Sequence, residues 1–327
     1  MTAPLLEVRD LRVEFPTRHG VLRALDGVSF DVAPGEILGL VGESGAGKSV
    51  AGAAIIGLLE PPGRIGGGQV LLEGERIDTL PREAMRRVRG RRIGAIFQDP
   101  LTSLNPLLTV GRQLVETLRI HLPLDAAQAR ERAIELLMQT GVPAPQARLA
   151  QYPHELSGGL RQRVVIALAL AGEPRLVIAD EPTTALDVAV QAQVIRLLRG
   201  VTLSRGASVV LISHDMGVIA EACDRVAVMY AGRLVEIGPV DEIVRRPAHP
   251  YTAGLMAAVP SLHDGGGRLA QIPGALPRLD EIPPGCAFHP RCPKASPKCA
   301  DERPELALVQ RTRAACWWPI IDMPGTP

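Results

Sequence analysis

The chain has 327 residues, with 36 Lys and Arg against 35 Asp and Glu for a formal net charge of +1; 46% of its residues are hydrophobic and 3% aromatic. That length fits one large domain or two of common size, and so neutral a balance gives no global field for holding nucleic acid or an anionic membrane, which leaves partner choice to local surfaces. No uncharged apolar stretch approaches the roughly 20 residues needed to span a bilayer, and residues 1–7 lack a basic region followed by an apolar one, so the expected location is cytoplasmic.

Taken in chain order, short apolar runs alternate with helical patterns. Ile37-Leu38-Gly39-Leu40-Val41, Ile93-Gly94-Ala95-Ile96-Phe97, Leu176-Val177-Ile178-Ala179 and Val209-Val210-Leu211-Ile212 read as strands buried on both faces, the pattern of a parallel sheet in an α/β fold. Between the first two, Arg82, Arg86, Arg87, Arg89, Arg91 and Arg92 form one dense basic run, expected as a solvated helix face because no aromatics interleave it. Residues 110–150 carry helical spacing only, with Asp125 as an N-cap and Ile134, Leu137 and Met138 assigned to one face. Residues 225–229 and 233–237, separated by Tyr230-Ala231-Gly232, read as an antiparallel hairpin at the sheet edge. Asp264-Gly265-Gly266-Gly267 reads as a flexible joint. Beyond it, Pro and Cys density predicts a small, loop-rich appendix. The domains expected are thus 1–262, with a helical part at about 100–157, and 263–327.

The most specific chemistry follows the first strand. Gly42-Glu43-Ser44-Gly45-Ala46-Gly47-Lys48-Ser49 matches G-x-x-x-x-G-K-[ST] between a predicted strand and a predicted helix. Glycines let the backbone wrap phosphates with successive N–H groups pointing inward, and the helix adds its positive end. Lys48 supplies a point charge for the β- and γ-phosphates, and Ser49 a ligand for Mg²⁺. Such a loop needs an acidic residue at a strand end, and Asp180 stands where 176–179 stop. Asp180 would act on magnesium or its waters, and Glu181 would orient and deprotonate the attacking water.

Leu156-Ser157-Gly158-Gly159-Leu160-Arg161-Gln162-Arg163 is by itself a helix start with Ser157 as N-cap. Set between the phosphate loop and Asp180-Glu181, it resembles the signature motif of ATP-binding cassette (ABC) proteins, with Leu160 where the usual LSGGQ has Gln. The resemblance implies a P-loop nucleotide-binding domain with a RecA-like core, an antiparallel β subdomain and a helical subdomain. It also implies that Ser157, Gly158 and Gly159 contact the phosphates of a partner's nucleotide. Gln98 matches the Q-loop glutamine that senses Mg²⁺, directly or through water, and the attacking water; Ala185-Leu186-Asp187 matches the D-loop, and His214 in Ile212-Ser213-His214-Asp215 the switch histidine that contacts the γ-phosphate. Phe15 matches the aromatic that stacks on adenine.

Phe97-Gln98-Asp99-Pro100-Leu101-Thr102-Ser103-Leu104-Asn105-Pro106 and His249-Pro250-Tyr251-Thr252 narrow the resemblance to the ATPase subunits of oligopeptide/dipeptide ABC importers. The family implies ATP and Mg²⁺, a second ABC ATPase subunit (commonly a different one), two transmembrane permeases, an extracytoplasmic substrate-binding protein, and a place at the cytoplasmic face of the membrane. Related ATPases power import of nickel chelates or glutathione. A soluble ABC clamp on nucleic acid is a competing class, but the long coiled-coil insertion or second cassette usual there is not in this sequence; no nucleic-acid partner is expected. A P-loop kinase leaves residues 156–163 and His214 unexplained.

Cys286, Cys292, Cys299 and Cys316 read as a disulfide pair, a zinc site, an iron–sulfur site or unrelated thiols. A cytosolic setting argues against disulfides, and five- and six-residue gaps depart from the close pairs of structural zinc. In some peptide-importer relatives a similar four-cysteine pattern with Arg291-Cys292-Pro293 holds a 4Fe–4S cluster, which the resemblance makes the expectation here, with zinc as the alternative. Cys223 is expected to serve packing, and Trp317-Trp318 to cover the core of the tail.

Overall fold

The structure is a computed structural model that describes residues 3–183, 188–258 and 271–321. Its strands are β1 (Leu6–Thr17), β2 (Gly20–Val32), β3 (Ile37–Val41), β4 (Arg64–Leu72), β5 (Glu75–Arg76), β6 (Ile93–Ile96), β7 (Leu176–Asp180), β8 (Ser208–Ile212), β9 (Arg225–Tyr230), β10 (Arg233–Pro239), β11 (Ala307–Val309) and β12 (Thr312–Ala314). The chain forms two compact units, one drawn from Met1–Val32, Ile37–Asp78 and Ile212–Pro327, the other from Ala33–Glu36 and Thr79–Leu211.

In the first unit, β2, β1, β4 and β5 form an antiparallel sheet in that order. Leu6, Val8, Leu11 and Val13 of β1 are buried, but their alternation slips between Val8 and Leu11, where the register shifts against both neighbours and Asp10 takes a positive φ of 47°. A bulge inserts an extra residue and flips the phase of the pattern, which is why β1 does not read as a regular strand from its sequence.

The second sheet of this unit runs β11, β12, β10, β9, β3, with β3 parallel to β9 and the rest antiparallel. All five residues of β3 are buried. A Cβ at Gly39 would lie 2.9 Å from Cys223 Sγ, so buried Cys223 serves packing, as expected. The β9–β10 hairpin turns on Ala231 and Gly232, both at positive φ (46° and 75°), the conformation that matches strand twist in a two-residue loop. One expectation fails: this hairpin is not the sheet edge. Glu236 and Ile237 of β10 pair with Ala314 and Arg313 of β12, and β11 follows. The three-residue strands of the tail are too short to signal themselves, yet they cover the polar edge β10 would otherwise expose. The tail is tied to the same unit a second time through Asp26, which accepts from Arg233 (2.8 Å) and Arg303 (3.0 Å). Although burial opposes its charge, those bonds hold the Asp26 carboxyl below its ordinary pKa.

In the second unit β8, β7 and β6 lie in that order, and β6 is parallel to β7. Helices Val110–His121, Ala126–Gln139, Pro145–Arg148 and Gly158–Leu170 follow one another. Asp125 caps the second of these in a reciprocal capping box with Gln128. Its buried stripe is Ala129, Ala133, Leu136 and Leu137; Met138, expected on the apolar face, is 61% exposed. Spacing of four, three and one sets the stripe on the small alanines, and Met138 falls one position past it. The arginine-rich segment includes helix Arg82–Val88, which buries Met85 and Val88 and leaves Arg82, Arg86 and Arg87 exposed.

His249-Pro250-Tyr251-Thr252 has a clear local role. The His249 ring is the N-cap of helix Pro250–Ala257, its Nδ1 accepting from Tyr251 N at 3.0 Å, with Pro250 at the first turn where no N–H is needed. The fully buried Glu236 carboxylate accepts from the backbone N–H groups of Ala248 (2.8 Å) and His249 (2.9 Å) and from the Thr312 hydroxyl (3.1 Å). Burial pushes the His249 pKa from 6.5 down to about 3. Between those values the unfolded chain binds the extra proton, so the stability held by neutral His249 is whole above pH 6.5 and is lost as pH falls toward 3. Urea titrations followed by tryptophan fluorescence should therefore show the chain weakening between pH 7 and 4, by a slope approaching about 1.4 kcal/mol per pH unit from this group. His249→Asn, which keeps a side-chain acceptor at the cap, should flatten that dependence.

Candidate functional site: a phosphate loop and its catalytic companions

In the first unit, residues 42–49 join β3 to helix Lys48–Ile55. Gly42, Gly45 and Gly47 have φ of 152°, 84° and 102°. At Gly42 a Cβ would lie 2.3 Å from the Met229 carbonyl oxygen, and at Gly47 2.8 Å from Leu25 Cδ2, so the loop's curvature admits glycine and little else at these points. Ala46 is buried, while Ser44, Gly45 and Ser49 are exposed at the mouth. The Lys48 ammonium is drawn into the ring of the loop, donating to the Gly42 (2.8 Å) and Glu43 (3.0 Å) carbonyl oxygens. This is a concave backbone with a cation at its centre and a helix N-terminus behind it, which suits the phosphates of a nucleotide.

Glu43 is held on every side. Its backbone N–H donates to the Tyr251 hydroxyl at 2.8 Å, and its carboxylate receives both ends of the Arg291 guanidinium, at 2.9 and 3.1 Å. Tyr251, Tyr230 and Phe288 pack edge to face or tilted with ring centroids 4.7 to 5.3 Å apart. Burial raises the pKa of both tyrosines, so each keeps its phenolic proton. Sequence reading assigned Arg291 only to the cysteine pattern; 248 residues separate it from Glu43, and no local spacing could reveal that pairing.

In the second unit Asp180 ends β7 and Glu181 follows at a positive φ of 46°, a conformation non-glycine residues seldom adopt and one found at working sites. Gln98 Nε2 donates to Glu181 Oε2 at 3.1 Å, bringing together two residues the sequence placed 83 positions apart. Downstream of Gln98, Asp99 accepts from Leu101 N at 2.8 Å and caps the turn Pro100–Ser103. Phe97, Leu101 and Leu107 along this stretch are exposed. Ser157 caps helix Gly158–Leu170, accepting from Leu160 N at 3.4 Å. Ser157 and Gly158 are exposed, and a Cβ at Gly158 would meet nothing within 4 Å, so the backbone there is open to a ligand.

The remaining expected residues are placed less tellingly. In the first unit, exposed His214 precedes helix Met216–Ala222, which Asp215 caps. Phe15 is half-buried, with its ring 2.8 Å from where a Gly63 Cβ would stand. Asp187 and the glycine joint lie outside the described residues.

Residues 25–184 match the ABC transporter family, and residues 235–299 match the oligopeptide/dipeptide transporter C-terminal region. A Brucella abortus relative is 50% identical over 315 residues, 96% of this chain and 95% of that protein. The chain belongs to the oligopeptide/dipeptide branch of the ABC transporter ATPases. The oligopeptide transport ATP-binding protein of Bacillus subtilis is 48% identical across 96% of this chain and 88% of its own length, and the dipeptide transport ATP-binding protein of Haemophilus influenzae 44% identical across 99% and 98%. Among solved structures, a post-hydrolysis dimer of an ATP-binding cassette bound to ADP and phosphate superposes with a TM-score of 0.66 at 26% identity, covering 72% of this chain and 98% of that one. The fold is that of an ABC ATPase, and the chain is an ATPase of that family.

The cysteine tail departs from the family-based expectation. Cys286, Cys292, Cys299 and Cys316 do line one pocket, with Phe288, Trp317 and Trp318. Yet among the described residues no group of three or more His, Cys, Asp or Glu side chains is placed to hold a metal ion. Burial raises the thiol pKa values of Cys286 and Cys292, and that of Cys316 to about 11, so these thiols are protonated while no metal is bound. This arrangement supports neither iron–sulfur nor zinc. The tryptophans do cover the pocket, anchored by Trp317 Nε1 to the Glu302 carbonyl (3.0 Å) and Trp318 Nε1 to Ser296 Oγ (2.9 Å).

The glycine geometry yields a direct test. Gly42→Ala should force the loop away from Met229 and lower affinity for a fluorescent ATP analogue about fivefold to thirtyfold, the equivalent of roughly 1–2 kcal/mol of backbone strain, as measured by equilibrium titration.

Proposed function

We propose that this chain is the ATP-hydrolysing subunit that powers import of peptides, working with a second cassette beneath two permeases at the cytoplasmic face of the membrane. The observation that carries the reading is the joint presence, in one chain, of the ABC transporter region and the oligopeptide/dipeptide C-terminal region, with 44–50% identity to the relatives above along nearly its whole length. Among the described residues no helix is long and apolar enough to cross a membrane, so the chain reaches the bilayer through its partners. The exposed apolar side chains of Phe97, Leu101 and Leu107 provide a surface suited to docking a permease helix. A substrate-binding protein outside the membrane completes such a system.

The chemistry assigns one task to each residue group. Residues 42–49 bind the phosphates and Lys48 neutralises them. Ser49 and Asp180 offer hard oxygen donors of the kind Mg²⁺ prefers, and the ion would neutralise charge on the phosphates. Glu181 takes a proton from the attacking water, and Gln98, hydrogen-bonded to Glu181, aligns that water. His214 stabilises charge on the γ-phosphate, and Phe15 stacks on adenine. Ser157, Gly158 and Gly159 close over the partner cassette's nucleotide, as Asp187 crosses toward it.

In the assembled transporter, Glu181→Gln should lower kcat by about 10²- to 10⁴-fold while ATP binding persists; hydrolysis at the native rate would remove Glu181 from its role. Detergent extraction with the chain as bait should recover permease subunits, identified by mass spectrometry, and uptake of labelled peptide by vesicles holding the complex should depend on ATP.

A further inference from the structure

The cysteine-rich tail does more than extend a sheet. Arg291, from Arg291-Cys292-Pro293, has a side chain 8% exposed and donates to the Glu43 carboxylate, to two backbone carbonyls and to the Tyr230 hydroxyl (3.3 Å). Nη1 and Nη2 grip the two oxygens of the Glu43 carboxylate in a fork, at 2.9 and 3.1 Å. Nε and Nη2 hold the carbonyl oxygens of Pro273 (2.8 Å) and Ile272 (3.3 Å). That second grip sets the segment carrying Leu276, whose Cδ2 lies 3.3 Å from where a Gly45 Cβ would stand. The guanidinium also sits 5.8 Å from the Tyr230 ring centroid and 5.9 Å from that of Phe288. Burial opposes its charge, but the bonds to Glu43 and Tyr230 outweigh that, and its pKa is raised.

Glu43 is the second residue of the phosphate loop, and its own carbonyl accepts from both Lys48 Nζ and Ala46 N. Whatever fixes Glu43 therefore fixes the start of the curve whose N–H groups must face the phosphates. We propose that Arg291 is a positioning residue for nucleotide binding: from the cysteine-rich tail it clamps Glu43 and holds the phosphate loop in its receptive shape. The fork is specific to arginine, because lysine presents a point charge that cannot meet both carboxylate oxygens and the two carbonyls at once. A loop fixed beforehand loses less conformational freedom when the ligand arrives. This inference rests on reading residues 42–49 as the nucleotide site.

The test uses the full chain and reads ATP KM and kcat separately, with affinity for a fluorescent ATP analogue. Arg291→Gln and Arg291→Lys should each raise KM and Kd about tenfold or more, the scale of one lost charge-assisted hydrogen bond, with kcat within about twofold of native, and Glu43→Gln should raise Kd by a similar factor. The double variant Arg291→Gln/Glu43→Gln should be no worse than either single change, because both remove one clamp. Native nucleotide affinity in folded Arg291→Gln and Glu43→Gln, or additive losses in the double variant, would overturn the proposal. If Arg291→Gln does not fold, Glu43→Gln, which removes the same contact from the loop side, decides alone. Lys48→Ala separates the two readings: retained affinity there sinks the nucleotide site itself, whereas lost affinity there with native binding in the Glu43 and Arg291 variants sinks only the clamp.

Discussion

A phosphate loop binds through backbone N–H groups, and a backbone gains nothing from pointing its donors at a ligand unless their direction is fixed before the ligand arrives. In this protein that constraint organises the first unit. β3 delivers Gly42 against the Met229 carbonyl on β9, and the Gly232 N–H donates to the Ala46 carbonyl at 2.9 Å. Tyr251 holds the Glu43 N–H, and Arg291 its carboxylate. Three of the nine aromatic residues, Tyr230, Tyr251 and Phe288, are spent as one buried cluster beneath these contacts, in a chain whose core is otherwise mainly aliphatic. The loop, the hairpin, the His249-Pro250-Tyr251-Thr252 corner and the tail thus form one mechanical piece.

The same economy explains the buried Glu236. An unpaired carboxylate in the core is costly, but two backbone N–H groups and a hydroxyl satisfy it, and two of its partners, Ala248 and His249, lead into the helix that carries Tyr251. Charge buried in β10 is therefore converted into the placement of a phenol at the phosphate loop. In the second unit the strained backbone of Glu181 and its bond to Gln98 show the opposite device, a local conformation held away from its own preference at the residue proposed as the base.

Where sequence and structure part company, the cause is physical. The β9–β10 hairpin was read as an edge because edge and interior strands can carry the same alternation, and only pairing with Thr312–Ala314 decides between them. Met138 falls off the apolar face because the buried stripe of this helix ends at Leu137, one position before it. β1 was hidden by a bulge that breaks the period of two. The cysteines were legible as a group and do share a pocket, but a set of thiols in a sequence carries no information about whether their sulfur atoms converge as ligands.

The sequence by itself determined the motifs that depend on local order. The phosphate loop, the acidic pair after β7 and the capped helix after Ser157 each need fixed residue types at fixed spacing within one strand–turn–helix, and such spacing survives in the chain as written. Only the tertiary structure decided what holds those motifs in place. The clamp of Arg291 on Glu43, the bond from the His249 N–H to Glu236 and the meeting of Gln98 with Glu181 join residues 13 to 248 positions apart, and a contact made through space between distant segments leaves no periodicity along the chain to be read.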